Sequence, residues 1–324
     1  MVTDSRNERR VTIFGGSGFV GRHVVGALAK RGYRIRVAVR RPDLAGHLKP
    51  LGAVGQIHAV QANVRDRASV ERAVVDAWAV INLVGILFQS GRQRFDAVHT
   101  QGARTIAEAA AAAGSRHLVH MSAIGADPKS PSAYGRSKAA GEANAKAAFP
   151  TAAIMRPSII FGPEDHFFNR FAAMARISPV IPLVGAETRF QPVFVGDVAE
   201  AYAAALEDRA KPGEAYELGG PDVASFRALM EKMLAVIGRR RWIVSIPFPL
   251  AKLQASFLQM MPKPILTVDQ VRQLARDNVV SEEAEASGRT LQGLGIDPRG
   301  MDPILPTYLS RFRKSGQFRS QINP

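Results

Sequence analysis

Apolar residues arrive along this chain in short runs separated by longer amphipathic stretches, an alternation that predicts repeated strand and helix units. Val11 to Phe14 is the first run, followed by a helical pattern over His23 to Arg31. Tyr33 to Val39 reads as a second strand and Gln56 to Val60 as a third, with a helix over Ala68 to Asp76. Ala79 to Val84 gives a fourth strand, Phe95 to Ala113 an alanine-rich helix stopped by Gly114, and His117 to Met121 a fifth strand. Strands that alternate with helices in this way form a parallel sheet covered on both faces. Further on the pattern loosens into amphipathic stretches at Phe167 to Ile177 and Ala199 to Asp208, a strand at Glu214 to Gly219 and a helix from Ser225 to Ile237.

The junction after the first run carries the most information. Gly15, Gly18 and Gly21 recur every third residue between a strand and a helix. Without a Cβ the first two let the backbone turn sharply and approach a pyrophosphate, which the free amides and positive end of the helix would hold. Gly21 would let the helix lie close to the sheet. Ser17, Phe19, Val20 and Arg22 complete this loop. The expected fold is an α/β Rossmann-type doubly wound parallel sheet over residues 9–160. A smaller, partly interleaved C-terminal substrate domain takes 161–310, with 191–222 returning to the sheet and 311–324 a basic tail.

The end of the second strand decides which dinucleotide is preferred. An acidic residue there would accept ribose hydroxyls, whereas Arg40 and Arg41 offer charge-assisted bonds to a 2′-phosphate, with Arg22 placed to assist. NADP(H) is therefore expected over NAD(H). The small-residue strand end at Val84 and Gly85 could run under the adenosine half.

Composition narrows the field. The chain has 324 residues, 46% of them hydrophobic, no cysteine and seven scattered histidines. That excludes thiolate chemistry and Cys-ligated metals, and the histidine spacing suits no metal site. No run approaches the length of a membrane span and the first ten residues are polar, so a cytoplasmic protein is expected, free or peripheral to the inner membrane. A net charge of +15, from 43 Lys and Arg against 28 Asp and Glu, attracts anions; nucleic acid is the least expected of these, since no nucleic-acid-binding motif accompanies the charge.

Ser122 follows the fifth strand, and Tyr134 and Lys138 lie four apart on one helix face. An ammonium and a cationic nicotinamide nearby would pull the phenol down toward neutrality, so that Tyr134 exchanges a proton with a substrate oxygen while hydride passes at the neighbouring carbon. Ser122 would hydrogen-bond that oxygen and Lys138 would also hold the nicotinamide ribose. These three are the candidate catalytic residues.

The glycine triplet, Ser122 and Tyr134-x-x-x-Lys138 together resemble an extended or atypical short-chain dehydrogenase/reductase, a group that includes NAD-dependent epimerases and dehydratases. Met155 to Asp165, with Pro157 and Ile159, resembles that family's strand past the nicotinamide, and Gln191 to Ala199 its return to the sheet. More narrowly, Val80 to Gly85, Arg156 to Phe171 and Pro247 to Leu250 resemble the branch containing the nucleotide-binding accessory subunit of respiratory complex I and its bacterial relatives. The resemblance implies two departures. Asn63, next to Val64, stands where an aspartate commonly contacts adenine, and His99 stands where an asparagine supports proton relay, a task His99 itself could take.

Two functions stay open at this level. One is an NADP-dependent oxidoreductase or epimerase acting on a carbonyl or nucleotide-sugar substrate. The other is an accessory or assembly subunit of respiratory NADH:quinone oxidoreductase, in which the nucleotide stabilises the fold without turnover. The segment Pro247 to Met261, rich in Phe, Leu and Met beside Lys252, could cover a pocket, dock on a partner or rest on a bilayer.

Overall fold

The computed structural model describes residues 6–261 and 264–314. The N-terminal five residues and the tail beyond Lys314, with Phe318 and Arg319, lie outside the described residues. The chain forms two compact units. One comprises the residues up to Pro157 together with Gly196–Leu218 and Ser281–Asp297; the other comprises Ser158–Val195, Gly219–Val280 and the residues from Pro298 onward.

The first unit is built on a seven-stranded, all-parallel sheet. Its first six strands in chain order are β1 (Arg10–Phe14), β2 (Arg34–Val39), β3 (Ile57–Gln61), β4 (Ala79–Asn82), β5 (His117–Met121) and β6 (Ala153–Pro157). The seventh, Ala215–Leu218, pairs with β6, and β1 lies between β2 and β4. Strands such as β1 and β4 are buried at nearly every position because both sheet faces are covered. The covering helices include α1 (Phe19–Lys30), α2 (Arg67–Val74), α3 (Gln101–Ala112) and α4 (Ala133–Ala148). Phe14, Val80, Ile106, Leu118 and Ile154 form one fully dry cluster between sheet and helices.

The helix expected from Phe95 begins differently. Asp96–Thr100 is a π turn, closed by the Gln101 amide donating to the Asp96 carbonyl, and α3 follows it. Such widened turns occur where a helix must present a particular group. Here the carbonyl of His99 meets α4, where a Cβ on Gly141 would come within 2.4 Å of it.

The second unit packs the helices Phe168–Ile177 and Phe226–Val236 around Phe161, Phe168, Phe190, Phe226 and Met230. Ser225 caps the second helix, its hydroxyl accepting from the Ala228 amide at 3.2 Å. Val193–Phe194 pairs with Ile160–Phe161 in a separate two-stranded sheet, so it is Ala215–Leu218 that adds to the large sheet.

Candidate functional site

The glycine loop turns between β1 and α1. Gly15 has φ +80°, a conformation that disfavours any side chain, and its amide donates to the Ala38 carbonyl at 3.2 Å. A Cβ on Gly15 would meet the end of β4, 3.2 Å from the Leu83 carbonyl carbon. At Gly21 a Cβ would fall 2.4 Å from the Gly15 oxygen and 2.6 Å from Gly16. The absence of side chains here lets the first turn of α1 close directly onto the loop, which refines the expected contact with the sheet. Gly18 precedes α1 without a side-chain cap, its amide donating to the Gly15 carbonyl at 3.1 Å, and the Arg22 amide donates to the Gly18 carbonyl at 3.0 Å. The amides of Phe19, Val20 and Gly21 therefore lie in the first turn, ahead of the first intrahelical donor, where a helix offers N–H groups to an anion. Ser17 and Arg22 are half-buried beside them. The cradle lies where strand order reverses around β1, the position at which open α/β sheets bind ligands.

At the end of β2, Arg40 and Arg41 are both exposed but differ in commitment. Arg41 pairs with Asp43 at 2.7 Å, a hydrogen-bonded partnership that raises its guanidinium pKa. Arg40 has no partner among the described residues. Asn63 accepts the Arg65 amide on its side-chain oxygen at 3.2 Å, and Val64 is buried against Gly102, where a Cβ would sit 3.1 Å from it. The Val84 amide donates to Asn82 at 3.0 Å, fixing the turn that leads to exposed Gly85. Pro157 ends β6 and accepts the Ile124 amide, whereas Ile159 belongs to the second unit, packed against that unit's own core.

Ser132 caps α4 by accepting the Gly135 amide, which sets the pitch of the turn bearing Tyr134 and Lys138. The Lys138 ammonium donates to the Met121 carbonyl at 2.9 Å and stands 5.9 Å from the centroid of the Tyr134 ring. Met121 ends β5, so this bond ties the lysine to the residue before Ser122. Ser122 is 3% exposed, its amide donates to the Met155 carbonyl, and its hydroxyl has no hydrogen-bond partner among the described residues. Burying a hydroxyl without a partner costs about 1–3 kcal/mol. A ligand oxygen at this point would relieve that cost.

Burial dominates the electrostatics of the protein groups here. Burial pushes the Tyr134 phenol up to about 12 instead of toward neutrality, and it pushes Lys138 down to about 8. Desolvation is the largest cause for both groups, and for Lys138 the Glu142 carboxylate offsets part of it. The phenol is consequently a proton donor throughout the physiological range.

His99 is also not the shuttle that the sequence suggested. Its Nε2 accepts the Ile86 amide at 2.9 Å, which places the proton on Nδ1, and Nδ1 donates to Ser137 Oγ at 2.9 Å. Ser137 in turn donates to the Tyr134 carbonyl at 2.7 Å. Burial, with Lys138 and His120 nearby, lowers His99 to about 2, so both ring nitrogens stay engaged and the ring stays neutral. His99 holds the backbone of the Tyr134 turn. Beside it is a pair that pattern reading missed: Asn82 Nδ2 donates to His120 Nδ1 at 3.1 Å, across the β4–β5 register that sets the two residues side by side. His120 is lowered to about 3, by burial and then by Lys138.

The lysine gives a pH test. Its pKa of about 8 lies below the ordinary 10.5, so between these values the unfolded chain binds more protons than the folded one. Stability from this group therefore rises with pH across that window. In Lys138→Met the rise is expected to flatten, read as the difference between the two proteins' urea-unfolding free energies from pH 8 to 10. Parallel curves would place the lysine in a solvated setting.

Residues 11–219 match the model of a family described as the NAD dependent epimerase/dehydratase family. The chain is 36% identical over 320 aligned residues to the Arabidopsis thaliana protein NADH dehydrogenase (ubiquinone) 1 alpha subcomplex subunit 9, mitochondrial, which covers 94% of this chain and 78% of that one. It is also 36% identical over 199 residues to a ceramide reductase of Caulobacter vibrioides, covering 61% of each. Among solved structures, a dTDP-glucose 4,6-dehydratase from Streptomyces venezuelae with NAD bound has a TM-score of 0.70 at 20% identity, with 94% of this chain and 96% of that one covered. Nicotinamide dinucleotide binding follows from the cradle together with this kinship. The expected cytoplasmic setting is contradicted, since relatives matched over nearly the whole chain are mitochondrial complex I subunits.

Proposed function

The chain belongs to the NAD dependent epimerase/dehydratase family, and from that footing we propose that it is an NADP(H)-dependent reductase of a lipid-like carbonyl compound. The observation that carries this reading is the unpartnered buried hydroxyl of Ser122, set one residue beyond the carbonyl that anchors Lys138. Ser122 would donate to the substrate oxygen and orient it. Tyr134, held protonated, would give that oxygen its proton as hydride arrives at the neighbouring carbon. The dinucleotide, when bound, supplies the hydride. Lys138 would hold the ribose hydroxyls with the donors that Met121 leaves free. The ceramide reductase relative supports the lipid-like substrate class, while the sugar-nucleotide enzymes resemble this chain only in fold. The test is consumption of NADPH with long-chain ketones, ketone-bearing sphingoid lipids first, read by absorbance and by the alcohol formed; a purified, nucleotide-binding protein inert to all of them would count against it.

Selectivity for the 2′-phosphate rests on Arg40, because Arg41 already has an anionic partner in Asp43. Arg40→Ala is expected to weaken NADPH binding about tenfold to a hundredfold and to leave NADH binding nearly unchanged, measured by titration calorimetry. Equal losses for both nucleotides would remove the assignment.

A second reading is favoured by the 36% identity to a complex I subunit over nearly the whole chain. In it the protein is a nucleotide-binding subunit of NADH:quinone oxidoreductase, and bound nucleotide stabilises the fold without chemistry. Native-gel separation of detergent-solubilised membranes distinguishes the two: salt-resistant co-migration with the complex supports the second, and a separate species that reduces ketones supports the first.

A further inference from the structure

The helix Phe248–Leu258 in the second unit is oriented against the usual rule. Its small residues point inward: Ala251 and Ala255 are 0% exposed, in a minor core with Val184 and Val271. Its large apolar residues point outward. Leu250, Leu253 and Phe257 share one face at helical spacing, with Leu253 59% and Phe257 69% exposed. They line a groove of about 440 Å³ with Ile246 and Gln254. The apolar exposure continues on both sides, through Trp242 (75%) and Val244 before the helix and Met260, Met261 and Ile265 after it. Exposed large apolar side chains gathered about a groove mark a contact surface.

Charge says what the face meets. Residues 239–276, which contain every one of these side chains, carry seven Lys and Arg against a single acid, Asp269. Arg239 and Arg241 spend hydrogen bonds on the carbonyls of Phe312 and Ala175, neither of which neutralises them. Lys252 is exposed on the helix itself and Arg272 on the next. Large exposed apolar side chains in a stretch so rich in cations, with an exposed tryptophan among them, suit the boundary between acyl chains and anionic headgroups. We propose that this face docks the protein on an anionic lipid bilayer. The inference stands apart from the reductase reading, since it uses none of the residues of the dinucleotide site.

The test is flotation of the purified full chain with vesicles of phosphatidylcholine alone or mixed with phosphatidylglycerol. Binding is expected to the mixed vesicles, several-fold weaker at raised salt. Leu253→Glu with Phe257→Glu is expected to weaken it about tenfold or more, with the circular dichroism melt and NADPH binding retained. Should that variant fail to fold, the wild type still decides. Trp242 emission, isolated by comparison with Trp242→Phe, should shift to the blue on mixed vesicles and be quenched by brominated acyl chains. Binding unaffected by the double substitution, no binding to either vesicle, unquenched Trp242, or a face occupied instead by a second copy or an acidic protein in solution would each overturn the proposal.

Discussion

Replacing Tyr134 by phenylalanine is expected to lower ketone reduction by about two to four orders of magnitude while leaving NADPH affinity within about twofold. The phenylalanine ring keeps the contacts with Phe95, at 5.8 Å and edge-on, and with His99, at 5.4 Å. What would be lost, in the proposed mechanism, is the group that protonates the nascent alkoxide. Ser122 would still orient the carbonyl, and the Lys138 bond to Met121 does not pass through the phenol. Single-turnover kinetics would therefore show a slow hydride step with ordinary binding, and a variant that reduces substrate at the wild-type rate would remove Tyr134 from the mechanism.

A change at Gly21 is expected to do the opposite, abolishing binding before chemistry is reached. A single methyl there would fall 2.4 Å from the Gly15 oxygen and 2.6 Å from Gly16, well inside contact distance with backbone that has no freedom to yield. Gly21→Ala must either push α1 off the loop or deform the loop itself, and both outcomes remove the amides of Phe19 and Val20 from the pyrophosphate position. The measurement is thermal unfolding with and without NADPH. For the wild type, nucleotide at 100 times its dissociation constant adds about 2.7 kcal/mol of stability. For Gly21→Ala that increment should vanish, and a retained increment would mean the pyrophosphate is held elsewhere.

Much of this site can be read directly in the chain. The run Val11 to Phe14, the glycine spacing and the alternation through Met121 specify a buried parallel sheet with a ligand crevice, because each depends on local pattern and on sheet sterics. The four-residue step from Tyr134 to Lys138 likewise needs only helix geometry. What pattern does not carry is the balance of desolvation against charge. The phenol at about 12 and the lysine at about 8 follow from how deeply α4 packs against α3 and the π turn, a consequence of tertiary contacts. The tautomer of His99 depends on the Ile86 amide, thirteen residues away along the chain, and on the π turn that swings the ring toward it. Asn82 and His120 are neighbours only through the register of two strands. The outward-facing Leu253 and Phe257 were legible as an apolar cluster, but only the burial of Ala251 and Ala255 shows which side of the helix faces water.

The central claim is that this site transfers hydride and does not merely hold a nucleotide. The most direct test incubates the full chain with NADPH deuterated at the transferable C4 position and a membrane lipid extract, then follows the label by mass spectrometry. Deuterium on the carbinol carbon of a lipid alcohol, absent from the Tyr134→Phe reaction, is the predicted result. Tightly bound NADPH recovered with its label intact after prolonged incubation would contradict it and leave the nucleotide a structural part of the fold.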